Sequence, residues 1–468
     1  MNTTKHYDII IIGSGPAGQK AAVQAAKVGR KVAMIEGDRV LGGACVHRGT
    51  IPSKTLRENA LRIANLRNHA ELFSFSLRPD TEMAALIENM DTVISAHDSY
   101  INRQITRNKI DRIHARASFI DHHRVKLSMP GGKSDELSAD NFVIATGSVP
   151  RKADNIDIDH EHIYDSDSIL SMMYLPQTLT VLGGGVIASE YASIFASMGV
   201  QVTMIDKYPR PLGFLDADLT DSFVHAFEAS GAKFIAEKNV LRSYWDGVSQ
   251  VITELEDGQV IRSDKLLSAA GRVANINGLN IENAGLMLNE RGIIPVDSHC
   301  KTIVDNIYAA GDVIGPPSLA SASMEQGRRA SLAALGIDLA NMTEMIPAGI
   351  YAIPELSTVG MNEGEAKKAY GEDIIIGYSR FEEIARGQIS GIQDGLLKMI
   401  ADPSGQILLG VGIVGEGATE LIHIGQMGLL SAMKVDAFVE NIFNFPTLAE
   451  AYRVAALDIT GKRIAKGL

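Results

Sequence analysis

Two stretches of the chain share one pattern. Tyr7-Asp8-Ile9-Ile10-Ile11-Ile12 is a short, nearly continuous apolar run rich in β-branched residues, which predicts a parallel strand covered on both faces. It breaks at Gly13-Ser14-Gly15-Pro16-Ala17-Gly18, after which apolar positions fall at helical spacing through Ala21, Ala22, Ala25, Ala26 and Val28. Lys31-Val32-Ala33-Met34-Ile35 predicts a second strand, ending at Glu36. The pattern returns at Leu179-Thr180-Val181-Leu182, followed by Gly183-Gly184-Gly185-Val186-Ile187-Ala188 and a helix through Glu190 and Ile194. The strand Gln201-Val202-Thr203-Met204-Ile205 then ends at Asp206.

Between and beyond these units the pattern is looser. Residues 53–108 hold few glycines or prolines and predict mostly helix, with Leu56, Ala60, Ile63 and Leu66 on one face. Pro52 suits a first helical turn, with Ser53 as a capping residue, and a glycine-rich loop is expected before it. Short strands are predicted around 115–120 and 125–127, with His122 and His123 as turn residues rather than metal ligands. A strand at 142–147 ends in glycine, one at 266–272 runs through Gly271 to Arg272, and 302–312 runs to Asp312 before a helix around 321–334. From about Pro347 strands are expected at 350–356, 396–400 and 406–415, with helices at 419–433 and 448–460. His423, on an apolar helix, reads as a packed core histidine.

Strand, glycine turn, helix, second strand and acidic end together make a dinucleotide-binding unit. Glycines let the backbone approach a pyrophosphate, the helix N-terminus stabilises its charge, and the acidic residue accepts from ribose hydroxyls. Gly13, Gly15, Gly18 and Glu36 fill these roles in the first unit; Gly183, Gly185, Ala188 and Asp206 fill them in the second. Alanine suits the last position, which requires only close helix–strand packing. Two units mean two nucleotides.

Composition narrows the class. A chain of 468 residues makes two or three domains, and 46% hydrophobic with 21% charged residues is the balance of a soluble globular protein. A net charge of −12 argues against nucleic acid and against anionic membranes. No run approaches the roughly 18 apolar residues of a membrane span, and the N-terminal segment lacks a signal-peptide pattern. Two cysteines, Cys45 and Cys300, exclude a disulfide framework, are expected to stay apart, and fit a cytoplasmic address.

Leu41-Gly42-Gly43-Ala44-Cys45-Val46-His47-Arg48-Gly49-Thr50-Ile51-Pro52-Ser53-Lys54 resembles the active-site loop of the FAD-dependent pyridine nucleotide–disulfide oxidoreductases. Within them it is similar to the soluble pyridine nucleotide transhydrogenase subgroup, as are Tyr164-Asp165-Ser166-Asp167-Ser168 and Ala449-Glu450-Ala451-Tyr452-Arg453. The resemblance spans the chain. It implies an α/β fold of two Rossmann-like dinucleotide-binding domains plus a C-terminal α+β dimerisation domain, and hence a homodimer. The FAD-binding domain is expected over 1–150 and 276–345, the NAD(P)-binding domain over 151–275 and the dimerisation domain over 346–468. It implies FAD at the first unit, with Gly43, Cys45, Lys54, Ala117, Thr146, Gly147, Asp312 and Ala320 lining it. It implies NAD or NADP at the second, with Glu190 and Gly271. Lys54 and Glu190 are expected to pair beside the flavin ring.

Two departures from the family pattern bear on function. The second thiol position holds Thr50, and one thiol alone cannot cycle as a dithiol. The family's C-terminal histidine base is absent from Phe445-Pro446-Thr447-Leu448-Ala449-Glu450. Both losses strike the disulfide exit for electrons. The expected reaction is therefore ping-pong hydride transfer from one nicotinamide to FAD and on to another, with Cys45 as a packing relic or a redox thiol. An NADH-dependent flavin reductase serving quinones or other small oxidants shares every motif and stays open. At the coenzyme ribose, Asp206 favours NAD, whereas Lys207 and Arg210 suit a 2′-phosphate.

Overall fold

The computed structural model describes residues 4–68, 83–337, 339–340, 342–343, 345–392 and 394–467. Part of the helical expectation over 53–108 falls outside these residues; the described part is the helices Thr50–Asn68 and Met83–Arg107.

The first sheet has the strand order Asp111–His114, Val32–Glu36, Lys5–Ile12, Ser134–Ile144, Arg124–Ser128, Arg116–Asp121. Its first four strands run parallel, with the continuous apolar runs of Val32–Glu36 and Lys5–Ile12 at the centre. Ser134–Ile144 is long enough to serve two neighbours on one side. Its start pairs antiparallel with Arg124–Ser128, and its end pairs parallel with Ile307–Ala309. The first nucleotide unit is therefore completed by a strand some 300 residues later in the chain. Helix Ala320–Ala334 packs there against helix Pro16–Lys27. The crossing is so tight that any Cβ on Gly327 would collide with the backbone of Ala17.

The second sheet is five parallel strands in the order Lys233–Ile235, Gln201–Ile205, Thr178–Leu182, Lys265–Ser268, Ile163–Asp165. A three-stranded antiparallel sheet, Val240–Trp245, Val251–Leu255 and Val260–Ser263, flanks it and was not anticipated. Ser148–Pro150 pairs with Arg272–Ala274 where the chain passes between the two units. The third sheet is antiparallel: Ala348–Ile350, Leu356–Gly360, Leu408–Val414, Leu396–Ala401, Ile375–Arg380.

The apolar core ties the second unit to its neighbours. Phe195, Phe223 and Leu219 of the second unit share one buried cluster with Leu56 and Ala60 and with Ile350, Leu356 and Leu396. Each such side chain contributes about 1.5–3 kcal/mol through burial. Beside this cluster, Lys398 is wholly buried and meets Glu363 at 2.7 Å, Asp218 at 2.9 Å and Asp216 at 3.1 Å.

Several local expectations need correction. Residues Gly43–His47 form a short helix rather than loop. Ser53 lies inside its helix, which begins at Thr50, so it does not cap it. The strand expected over 350–356 is split into Ala348–Ile350 and Leu356–Gly360, with Tyr351 to Glu355 turned toward other domains. His423 is exposed, facing Gln426 at 2.9 Å, because the helix Ala418–Leu430 buries Ile422 and Gly425 instead. His122 and His123 are turn residues as expected, and no metal-binding cluster exists among the described residues. Both cysteines are free. Among the described residues no helix is long and apolar enough to cross a membrane.

Candidate functional site

Sterics explain the first glycine turn. Gly13 sits at φ +105°, and a Cβ there would collide with the Ala145 carbonyl; a Cβ on Gly18 would collide with the carbonyl of Gly13. Gly15, by contrast, faces open space at the start of helix Pro16–Lys27. That helix has no side-chain cap and no acidic residue in its first turn, so its leading N–H groups are free for an anion.

Gly43 crosses this turn, with only 3.0 Å between a Cβ built on it and the Gly15 Cα. Glu36 braces the loop: its Oε2 accepts from the Ser14 backbone N–H at 2.8 Å and the Ser14 hydroxyl at 2.6 Å. The Gly42 N–H donates to the same hydroxyl oxygen at 3.1 Å. The Glu36 Oε1 accepts from the Asp38 N–H at 2.9 Å, so of about four acceptor sites on the carboxylate Glu36 keeps room for one ribose hydroxyl. Beside Gly13, the Thr146 hydroxyl is buried without a partner, and Gly147 breaks the strand at φ +71°. An orphaned hydroxyl and a cradle that admits no side chain fit a dinucleotide such as FAD. Asp312 opens a short 3₁₀ turn, where its Oδ2 accepts from the Ser148 hydroxyl at 2.7 Å. Arg272 fixes Ser148 in turn, donating to its Oγ at 2.9 Å while pairing with Asp167 at 2.6 Å. Ala117 is half-buried on Arg116–Asp121, and Ala320 opens the helix Ala320–Ala334.

The second turn repeats the first. Gly183, at φ +112°, leaves a Cβ 2.8 Å from the Ala269 carbonyl oxygen, and Gly185 faces open space at the start of helix Val186–Ser197. Here the Ala188 side chain is accommodated, 3.8 Å from a Cβ built on Gly183. Gly184 admits no side chain because the Asp206 carboxylate hangs over it. Burial raises the Asp206 carboxyl above its ordinary value, against hydrogen bonds from Lys207 and Tyr208 that lower it. Gly271 stands at φ +102°. Lys207 is exposed, its ammonium 5.1 Å from the Tyr208 ring centre. Arg210 forms a two-pronged pair with Asp221.

Between the turns, Lys54 and Glu190 meet at 2.7 Å. Lys54 keeps a quarter of its side chain exposed, whereas Glu190 is buried. The other oxygen of Glu190 accepts from the Tyr351 backbone N–H at 2.9 Å, and the Tyr351 ring centre lies 4.9 Å from the Lys54 ammonium. Cys45 lies just upstream, a free thiol in the short helix Gly43–His47. Burial lifts that thiol above its ordinary value, and the Thr50 hydroxyl and the Lys54 charge only partly offset this. Cys300 is buried in a separate apolar cluster with Ile9 and Tyr308.

Sequence reading missed Tyr351 and the pair beneath it. Arg57, buried on the Lys54 helix, meets Glu355 at 2.8 Å, and Glu355 also accepts from the Thr419 N–H at 3.1 Å and hydroxyl at 2.8 Å. These partners lie hundreds of residues apart, and no local spacing announces them.

A family model described as pyridine nucleotide-disulphide oxidoreductase matches residues 7–327, and the dimerisation domain of that family matches residues 346–456. The chain is 40% identical over 461 residues to a soluble pyridine nucleotide transhydrogenase of Mycobacterium tuberculosis, covering 98% of each. It is 40% identical to the protein of the same description from Pseudomonas aeruginosa, covering 97% of this chain and 98% of that one. Among solved structures it superposes on LpdA from Mycobacterium tuberculosis with a TM-score of 0.89 at 26% identity, over 97% of this chain and 99% of that one. On the HOCl-induced flavoprotein disulfide reductase RclA from Escherichia coli it superposes with a TM-score of 0.86 at 29% identity, over 96% and 99%.

Proposed function

The chain belongs to the pyridine nucleotide-disulphide oxidoreductase family, and we propose that within it this protein is an FAD-dependent transhydrogenase exchanging hydride between NADPH/NADP⁺ and NADH/NAD⁺. The observation that carries the reading is that Cys45 is a free thiol: Thr50, a hydroxyl, stands at the position of a resolving thiol, and the chain's other cysteine, Cys300, is buried in an apolar cluster, so Cys45 has no thiol in its own chain with which to cycle as a disulfide. Phe445 in place of the histidine base, and 40% identity along the whole chain to transhydrogenases, support it.

Gly13, Gly15, Gly18, Gly43, Glu36, Thr146, Gly147, Ala117, Asp312 and Ala320 hold FAD in this reading. FAD, when bound, supplies a hydride acceptor and donor at its N5. Gly183, Gly185, Ala188, Asp206, Lys207 and Gly271 hold whichever nicotinamide coenzyme is present. Lys54 keeps a fixed positive charge between the two turns, and Glu190 orients it while holding Tyr351 in register. Donor and acceptor coenzymes use the same pocket in turn. The dimerisation domain, with the exposed apolar residues Ile442 and Phe445, makes the working unit a homodimer.

The test is optical. Under anaerobic conditions NADPH bleaches the yellow protein, and NAD⁺ then restores its colour while NADH accumulates. Recovery with a quinone but not with NAD⁺ assigns the protein to the flavin reductases instead.

A further inference from the structure

One guanidinium stands in the segment Asp206-Lys207-Tyr208-Pro209-Arg210-Pro211-Leu212 that follows the second strand. This segment doubles back on the second glycine turn: the Asp206 carboxylate covers Gly184, and the Leu212 N–H donates to the Gly184 carbonyl at 2.7 Å. Arg210 is thus held two residues from an anchor on the turn that receives the coenzyme. It is the natural fork for a 2′-phosphate. Yet it is already occupied: Nε donates to Asp221 Oδ1 at 2.6 Å, and its second prong donates to Oδ2 at 3.1 Å. Asp221 projects from helix Ala217–Ala229, and both partners of the pair are about half exposed.

We propose that Asp221 sets coenzyme choice by competing with the 2′-phosphate for Arg210, holding the site toward NAD(H) while leaving NADP(H) able to bind. The proposal rests on the reading that the second turn receives the nicotinamide coenzyme. An intramolecular carboxylate presents the bidentate geometry that phosphate also uses, so the two anions exclude each other at one guanidinium. Because the pair is solvent-exposed it is weak, and a bound phosphate displaces it. The result is graded discrimination rather than exclusion, which suits an enzyme that must release both coenzymes. Asp206, covering Gly184, disfavours the 2′-phosphate by charge as well and adds to the same bias.

The experiment uses the flavin-loaded protein and two probes differing only in the 2′-phosphate, adenosine 2′,5′-bisphosphate and 5′-AMP, titrated by calorimetry. Asp221→Asn is expected to tighten the bisphosphate by about three- to tenfold and to move 5′-AMP less than twofold. Adding Arg210→Met should abolish that gain. Equal changes for both probes, no change for either, or a gain that survives loss of Arg210 would overturn the proposal. Because binding alone is read, failure of NADPH to reduce NAD⁺ would count against transhydrogenation without altering this comparison.

Discussion

Lys54 and Glu190 are 136 residues apart in the chain, yet their side chains meet at 2.7 Å between the two glycine turns. The pair joins the helix Thr50–Asn68 to the first helix of the second nucleotide unit, and Tyr351 from the third sheet's domain closes it. A cation so held is pre-oriented before any coenzyme arrives, the condition under which a fixed charge can stabilise a transition state.

Lys54→Met should therefore slow anaerobic bleaching by NADPH by about 10²–10³-fold, the usual effect of removing one preorganised charge or donor. Stopped-flow absorbance checks it. An unchanged rate would strip Lys54 of its role in hydride transfer.

Cys45→Ser should retain transhydrogenation, since serine is close in size to the thiol and the reading requires no disulfide chemistry. The thiol itself, lifted above its ordinary value by burial, should alkylate slowly at pH 7.5. Rapid labelling with iodoacetamide coupled to inactivation would make Cys45 a reactive group.

Gly18→Ala should yield colourless protein, because the added methyl meets the Gly13 carbonyl and opens the cradle. The ratio of flavin to protein absorbance reads this directly. Full flavin content would show that the turn relaxes without loss.

Lys398→Met removes the buried cation that Asp216, Asp218 and Glu363 share, and should cost about 3–5 kcal/mol at pH 7. Burial lowers the Lys398 ammonium's pKa, but bonds to Glu363 and Asp218 more than reverse this and leave it raised. Its contribution is fully present below the ordinary lysine value of 10.5 and is lost as pH rises through the higher folded one. Glu363 is also raised by burial and brought down further by Lys398 and Lys367, so its share is lost as pH falls below the ordinary 4.5. Urea titrations should show the gap between variant and parent narrowing toward pH 4.5, as Glu363, deprived of Lys398, takes up its proton more readily. A gap constant from pH 7 to pH 4.5 would contradict this account.

What was legible in the sequence follows from what each feature demands locally. Gly13 and Gly183 announce themselves because positive φ and a neighbouring carbonyl leave no other residue possible. Their strands are continuous apolar runs, which only burial on both faces produces. The Lys54–Glu190 pair was expected from resemblance, since nothing in spacing links two residues so distant. Tyr351, Arg57 with Glu355, and Asp221 were missed for the same reason: each acts through a partner supplied by another part of the fold. Ser53 was misassigned as a cap because the helix starts three residues earlier, at Thr50. The sheet of Val240–Trp245 and its neighbours went unread because Leu241, Arg242 and Tyr244 mix charge with apolar residues on a half-exposed surface.

The fit of Gly327 against Ala17 also sets a timetable. The ribosome releases the first glycine turn early, but the strand and helix that buttress it emerge only near residues 307–334. At about 5–20 residues per second, the nascent turn waits roughly 15–60 s for its far wall. Loading of the prosthetic group belongs to the last third of translation or later, and a chain truncated before Gly327 leaves the translation machinery with no finished place to put it.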